Sequence, residues 1–181
     1  WFGLTGGIAT GKSTVTKMLR EQGYSVIDAD ELAKKAVSKH SPGLRSIVEK
    51  FGEAVLTVDG ELDRKKLGQI VFADKNKLLQ LEDMVHPFVQ AEVEKQKEML
   101  ILQGYTLAFY DVPLLFEKNM FSQFDGIVLV CSPEELQKQR MNSRDRLSVD
   151  EINKRLSAQM NIREKEKIAL NDKSKNIFIV R

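Results

Sequence analysis

Cysteine is almost missing from this 181-residue sequence: Cys131 stands alone. That excludes a disulfide framework within the chain and a four-thiolate metal site, and it makes a reducing, cytoplasmic setting the expected one. An excess of charge of one sign is also missing. The 28 Lys and Arg nearly balance 26 Asp and Glu, leaving a net charge of +2. No global field therefore demands a nucleic acid or a membrane surface as partner, and neither is expected. Long apolar runs are lacking too. None approaches the ~20 residues needed to cross a bilayer, and no charged-then-apolar export signal opens the sequence. Only four Pro occur, with no repeat, no low-complexity tract and no long linker. What is present is the balance of a globular protein, 42% hydrophobic and 30% charged. A disordered chain, a collagen-like chain and a coiled-coil rod are excluded by it. The length suits one domain with a sizeable core, or a core carrying a small inserted lobe.

Short β-branched or aromatic runs alternate with longer helix-period segments, the pattern of an α/β fold with a parallel sheet. Strands are predicted at 1–4, 24–27, 105–110, 126–131 and 177–180, about five in all. Helices are predicted over 13–22, from Asp30 onward, over most of 44–102, over 133–141 and over 149–170. Within the long helical stretch, Val58-Asp59-Gly60-Glu61 reads as a turn. Pro87 reads as the end of one helix and the start of the next, because proline suits a first turn and not an interior. The helical excess between 44 and 103 is most simply an insert in a core formed by 1–43 and 104–181. The polar, Arg-rich stretch 142–150 reads as a mobile connection.

The strongest motif is Gly6-Gly7-Ile8-Ala9-Thr10-Gly11-Lys12-Ser13, which fits G-x-x-x-x-G-K-[ST] between a strand and a helix. Glycines let the main chain approach a phosphate closely. Successive N–H groups and the positive end of the following helix form an anion nest. Lys12 sets a point charge against the outer phosphates, and the Ser13 hydroxyl suits Mg²⁺. With Gly at about 7% of residues, chance supplies the fixed positions in well under about 1% of chains this long. Gly7 through Thr14 are thus the expected ATP-binding segment.

A cradle alone does not choose among kinase, switch and motor. The guanine-reading N-K-x-D pattern is absent, and no D-x-x-G follows the second strand. The chain is also short for a motor. A small phosphoryl-transfer enzyme is left, and it needs an acidic group near the acceptor hydroxyl. Asp28 and Asp30 lie at the carboxyl end of the second strand, where ligands bind in open α/β sheets. Helix capping explains either of them equally well by spacing. Asp111 ends the third strand, placed to hold Mg²⁺ directly or through water, or else as an ordinary strand-end carboxylate. Arg140, Arg144 and Arg146 suit a lid that neutralises charge on the transferred group. Alternatively, they form a solvated face paired with nearby acids.

These segments together resemble the bacterial dephospho-CoA kinases. The opening Gly3 to Thr14 with Val26-Ile27-Asp28-Ala29-Asp30 carries the likeness. So do Asp63-Arg64-Lys65-Lys66-Leu67, His86-Pro87 and Asp111-Val112-Pro113-Leu114-Leu115-Phe116-Glu117, with Arg140, Arg144-Asp145 and Gln159 later. The resemblance implies a P-loop fold like that of nucleoside monophosphate kinases, with an inserted helical CoA-binding lobe (about 44–103) and a lid (about 140–150). It implies ATP-dependent phosphorylation of the ribose 3′-hydroxyl of dephospho-CoA, the last step of coenzyme A synthesis, with ATP and Mg²⁺. Carried over by motif, Asp30 becomes the acceptor-side base or hydroxyl orienter, Arg140 and Arg144 lid arginines acting with Lys12, and His86, Leu114 and Glu117 neighbours of the acceptor. Ser13 and Asp111 become the metal side. Thr10 stands where the family usually has Ser. The family's Asn-x-Gly loop near the adenine would follow the last strand, so the adenine contacts have no candidates before Arg181. Another small-molecule or nucleoside kinase on the same scaffold is the alternative function; a nucleotide-dependent binding module is a third. A monomer is the expected state.

Overall fold

A computed structural model of the chain describes residues 1–171 and 176–181. Two compact units divide it: Trp1–Ala29 with Tyr105–Arg181, and Asp30–Gly104.

The first unit holds a five-stranded, wholly parallel sheet: β1 (Phe2–Gly6), β2 (Ser25–Asp28), β3 (Ala108–Asp111), β4 (Gly126–Val130) and β5 (Ile177–Val180), in the order β2-β3-β1-β4-β5. Its helices are α1 (Lys12–Glu21), α6 (Glu134–Asp145), α7 (Val149–Ser157) and α8 (Ile162–Asn171). A parallel sheet flanked by helices buries both faces of its central strands. Accordingly Leu4 and Leu129 are 0% exposed and Ile127 is 2%. Leu4, Val26, Phe109 and Val130 form the centre of one cluster, against which Val15 and Leu19 of α1 pack. The sheet register decides where the chemistry falls. Leu4 of β1 pairs with Asp111 of β3, and Asp111 pairs with Asp28 of β2. The connection leaving β1 runs toward β2 and that leaving β3 runs toward β4 on the opposite side. A crevice opens at such a reversal, outside the carboxyl ends of the strands.

The second unit is helical: α2 (Ala29–Ala36, entering from the first unit), α3 (Pro42–Phe51), α4 (Arg64–Phe72) and α5 (Lys75–Leu102). Ser41, Asp63 and Asp74 cap α3, α4 and α5 by accepting from Leu44 N–H, Lys66 N–H, and Asn76 and Lys77 N–H. Val37, Ile47, Val55, Leu67 and Val71 make its core, with Leu78, Leu81, Met84 and Val85 of α5 against them. The turn at 58–61 is present, with Gly60 at φ 77° donating its N–H to Thr57 O.

The structure corrects two sequence expectations here. Pro87 does not divide the helix: α5 runs unbroken for 28 residues with Pro87 inside it. An interior proline costs about 3 kcal/mol. Pro87 and Asp83, whose carbonyl loses its helical partner, are both exposed, so water can take that carbonyl. Apolar packing of four side chains on the opposite face outweighs the remainder. The predicted single helix over 149–170 is instead α7 and α8, broken at 158–161, for a reason that lies at the phosphate loop.

Two helix-interior glycines of this unit contrast. A Cβ at Gly43 would strike the Ala36 carbonyl oxygen, whereas one at Gly68 would meet only the exposed Phe72 ring at 3.3 Å. Ala is the better helix former by about 1 kcal/mol. Gly68→Ala should therefore raise stability by up to ~1 kcal/mol, and Gly43→Ala should lower it by ~1–3 kcal/mol. Thermal unfolding of the two variants checks this, and a Gly43→Ala protein that melts above the parent would refute the close approach.

Candidate active site

The phosphate loop links β1 to α1. Thr10 donates both its N–H and its hydroxyl to Gly7 O, at 3.3 and 2.9 Å, folding the loop on itself. Gly6 has no room for a side chain: a Cβ would lie 2.7 Å from both Thr10 Oγ1 and Val130 O. Gly11 sits at φ 101° as the N-cap of α1 and offers no capping side chain. Thr14 N–H donates to Gly11 O at 2.9 Å, and the Lys12 and Ser13 amides ahead of it are left to an external anion, with the helix dipole adding to the attraction. Ser13 and Thr14 are exposed at this end, and Lys12 is half-buried.

Lys12 Nζ makes an ion pair with Asp111 Oδ1, and Thr16 Oγ1 donates to Asp111 Oδ2 at 3.2 Å. Burial pushes the Asp111 carboxyl above its ordinary 3.8; Lys12 opposes that shift, and the neighbouring Asp28 carboxylate adds to it. Two cavities meet at Lys12 and Ser13. One, of about 750 Å³, is lined by the loop, Pro113, Arg140, Arg144 and Gln159. The other, of about 560 Å³, lies on the sheet side and is lined by Lys12, Ser13, Thr16, Lys17, Asp28 and Asp111 among others. Ser13, Asp28 and Asp111 bring hard oxygen donors to the second cavity, the donor set that suits Mg²⁺.

Arg140 Nη1 donates to Ala9 O at 3.0 Å, so this arginine rests on the phosphate loop itself. Arg144 grips Asp145 in a bidentate pair at 2.8 and 2.9 Å, and Arg155 lies 3.9 Å from the same carboxylate. The Arg144 guanidinium holds the Asp145 carboxyl below its usual range. The stretch 142–150 expected as an open connection is largely helical. α6 continues to Asp145, Arg146 turns left-handed at φ 52°, and Ser148 with Glu151 forms a capping box that opens α7. Arg140 and Arg144 consequently share one helix.

Asp30 lies in the first turn of α2, exposed, inside the helix and not at its N-cap. His86 is exposed on α5, and Leu114 is exposed just past β3. Glu117 faces Lys165, with Oε1 2.8 Å from Nζ, and accepts the Met160 N–H at 3.0 Å. Cys131 is buried, its thiol pushed up to about 12 first by burial and then by Glu166.

Sequence reasoning missed two contributors: Thr16 braces Asp111, and the buried Gln137 donates to Ser132 O beside the loop. Gln159, singled out in the sequence without a contact assigned to it, accepts the Ile8 N–H at 3.1 Å. A signal existed for Lys165: with Ile162 and Ala169 it falls on the apolar stripe of α8, where a cation is out of place.

Comparison with known proteins points to one family. The family model for dephospho-CoA kinase matches residues 1–175. A dephospho-CoA kinase of Bdellovibrio bacteriovorus is 47% identical over 93% of this chain and 84% of its own. One from Bacillus cereus is 47% identical over 92% and 84%. Among solved structures, a Thermus thermophilus protein superposes with a TM-score of 0.81 at 35% identity, over 99% of this chain and 87% of its own. A dephospho-CoA kinase from Campylobacter jejuni gives 0.69 at 31%, over 99% and 87%.

Because burial raises the folded-state value of Asp111, its ionised form is disfavoured in the fold. Its contribution to stability is greatest at low pH and diminishes as pH rises from 3.8 through the raised folded value. Carboxyl NMR should place the Asp111 midpoint above 3.8, and Lys12→Met should move it higher still by removing the opposing cation. A midpoint at or below 3.8, or a downward move in Lys12→Met, would contradict the arrangement.

Proposed function

The chain belongs to the dephospho-CoA kinase family, and from that premise we propose that it transfers the γ-phosphoryl group of ATP to the ribose 3′-hydroxyl of dephospho-CoA. The products are coenzyme A and ADP. The observation that carries this reading is the pair of cavities sharing Lys12 and Ser13 as their common wall. One is built around an anion cradle, and the other is lined by carboxylates. A group held at that wall is accessible from both sides.

In this reading the residues 7–14 cradle the phosphates of ATP. Lys12 trades part of its contact with Asp111 for the outer phosphates. Arg140, already on the loop, and Arg144, once it leaves Asp145, bring positive charge to the transferred group as its bond to the leaving oxygen breaks. Asp30 accepts or orients the proton of the acceptor hydroxyl, whose oxygen forms the new bond to phosphorus. His86 and Leu114 contribute to acceptor binding. Ser13 and Asp111, with Asp28 beside it, would hold Mg²⁺, which would supply neutralising charge for the phosphates. The single buried cysteine supports a cytoplasmic setting, and the near-zero net charge supports an enzyme of small molecules. Among the described residues, no helix is long and apolar enough to cross a membrane.

Intact protein incubated with ATP, Mg²⁺ and dephospho-CoA should yield coenzyme A by mass spectrometry. Asp30→Asn should lower turnover by roughly 100-fold or more while ATP binding, measured by calorimetry, changes less than about twofold. Equal loss of both would make Asp30 a structural residue. In a thermal-shift panel dephospho-CoA should raise the melting temperature by mass action, and nucleosides should not. Stabilisation by a nucleoside alone would point to a different acceptor.

A further inference from the structure

An ion pair outside the lining of both cavities is buried near the phosphate loop. Lys165 of α8 is 0% exposed, although most of that helix carries charge into solvent. Its Nζ lies 2.8 Å from Glu117 Oε1 and 5.8 Å from the centroid of the Phe116 ring. Glu117 Oε1 also receives the Met160 N–H. Glu117 Oε2 and Lys165 Nζ are both buried and make no hydrogen bond with the described residues, so the pair is held by charge. Burying such a pair is seldom worthwhile for stability alone: apolar groups of similar volume often serve as well or better, whereas removing one partner is costly. The arrangement therefore asks for a positional explanation.

The position it governs is the break between α7 and α8. Periodicity favours one continuous helix there, yet the chain leaves the helix at 158–161. Met160 N–H is held by Glu117, and Asn161 Oδ1 accepts the Arg163 N–H to start α8 afresh. Between the two helices stands Gln159, whose Oε1 accepts the Ile8 N–H. A small cavity lined by Gly7, Ile8, Gln159 and Met160, among others, lies between the break and the loop, and Gln137 and Ile162 also approach the loop at Gly7. Were Met160 to return to a continuous helix, Gln159 would turn with it.

We infer that Glu117 and Lys165 form a buried latch that fixes the α7–α8 break and so sets Gln159 against the Ile8 amide, with Glu117 as a positioning residue for the phosphate loop and Lys165 as the counter-charge that lets its carboxylate stay buried. Glu117 then acts on the nucleotide side through Gln159, not by touching the acceptor as its place beside Leu114 in the sequence suggests. Only the binding of a nucleoside triphosphate by the loop is assumed, so the inference deepens the kinase reading without depending on the acceptor.

Calorimetry of ATP binding without acceptor, followed by steady-state kinetics, tests this in the full chain. Glu117→Leu with Lys165→Met removes the latch while keeping volume and leaving no lone buried charge. It should weaken ATP binding and raise KM for ATP about tenfold, with KM for dephospho-CoA within about twofold. Glu117→Gln with Lys165→Met keeps an acceptor for the Met160 N–H and should restore most of the affinity. Gln159→Leu, a change at a half-buried side chain that survives even if the apolar pair fails to fold, should show the same tenfold loss. Adding it to the apolar pair should weaken binding no further. Unchanged ATP binding in Gln159→Leu, additive losses in the triple variant, or a selective rise in KM for dephospho-CoA would each overturn the latch. Failure of the kinase reading alone would leave the ATP-binding results standing.

Discussion

The ion pair between Lys12 and Asp111 ties the phosphate loop to the sheet, and most of the first unit's chemistry depends on it. The loop itself is held by short-range bonds: Thr10 onto Gly7, and Gly6 pressed against β4. None of those bonds aims Lys12. Aim comes from a carboxylate at the end of the adjacent strand, braced by Thr16 and made costly to ionise by burial. An unpaired cation at an anion site would sample many directions. A cation paired with a buried carboxylate is held at the mouth of both cavities, and a phosphate competes for it with full charge.

That pairing is a consequence of strand register. β1 and β3 run parallel, with Leu4 opposite Asp111, while β2 brings Asp28 opposite the same carboxylate. Shifting any of these strands by one residue would reverse which side chains face the crevice. The burial of three short strands thus decides an electrostatic arrangement at their ends. The same logic runs behind the loop, where a second buried pair, Glu117 with Lys165, interrupts a helix and places an amide acceptor on Ile8.

Much of this was legible in the residues. The cradle, its strand-then-helix setting and the parallel sheet follow from spacing and periodicity, because they rest on local conformation and on burial that repeats along the chain. Two of the errors fall where distant partners outweigh local preference, and the third, at 142–150, is a missed local signal. Pro87 reads as a helix boundary, yet four apolar contacts on the far face carry α5 past it. Periodicity over 149–170 reads as one helix, yet the Met160 N–H donated to Glu117 and the Ile8 N–H donated to Gln159 stop it short. The polar 142–150 stretch reads as loop, yet a capping box and a left-handed Arg146 leave little of it irregular.

By itself the order of residues determined that a phosphate-binding turn would form between a buried strand and a helix, since glycine conformation and main-chain amides act within a few residues of one another. Only the tertiary structure decided which side chains that turn would meet. Asp111 lies 99 residues along the chain from Lys12, Arg140 lies 131 from Ala9 and Gln159 lies 151 from Ile8. No local preference encodes such meetings. They arise because β1 is buried between β3 and β4, and burying it brings the ends of their connections to one place.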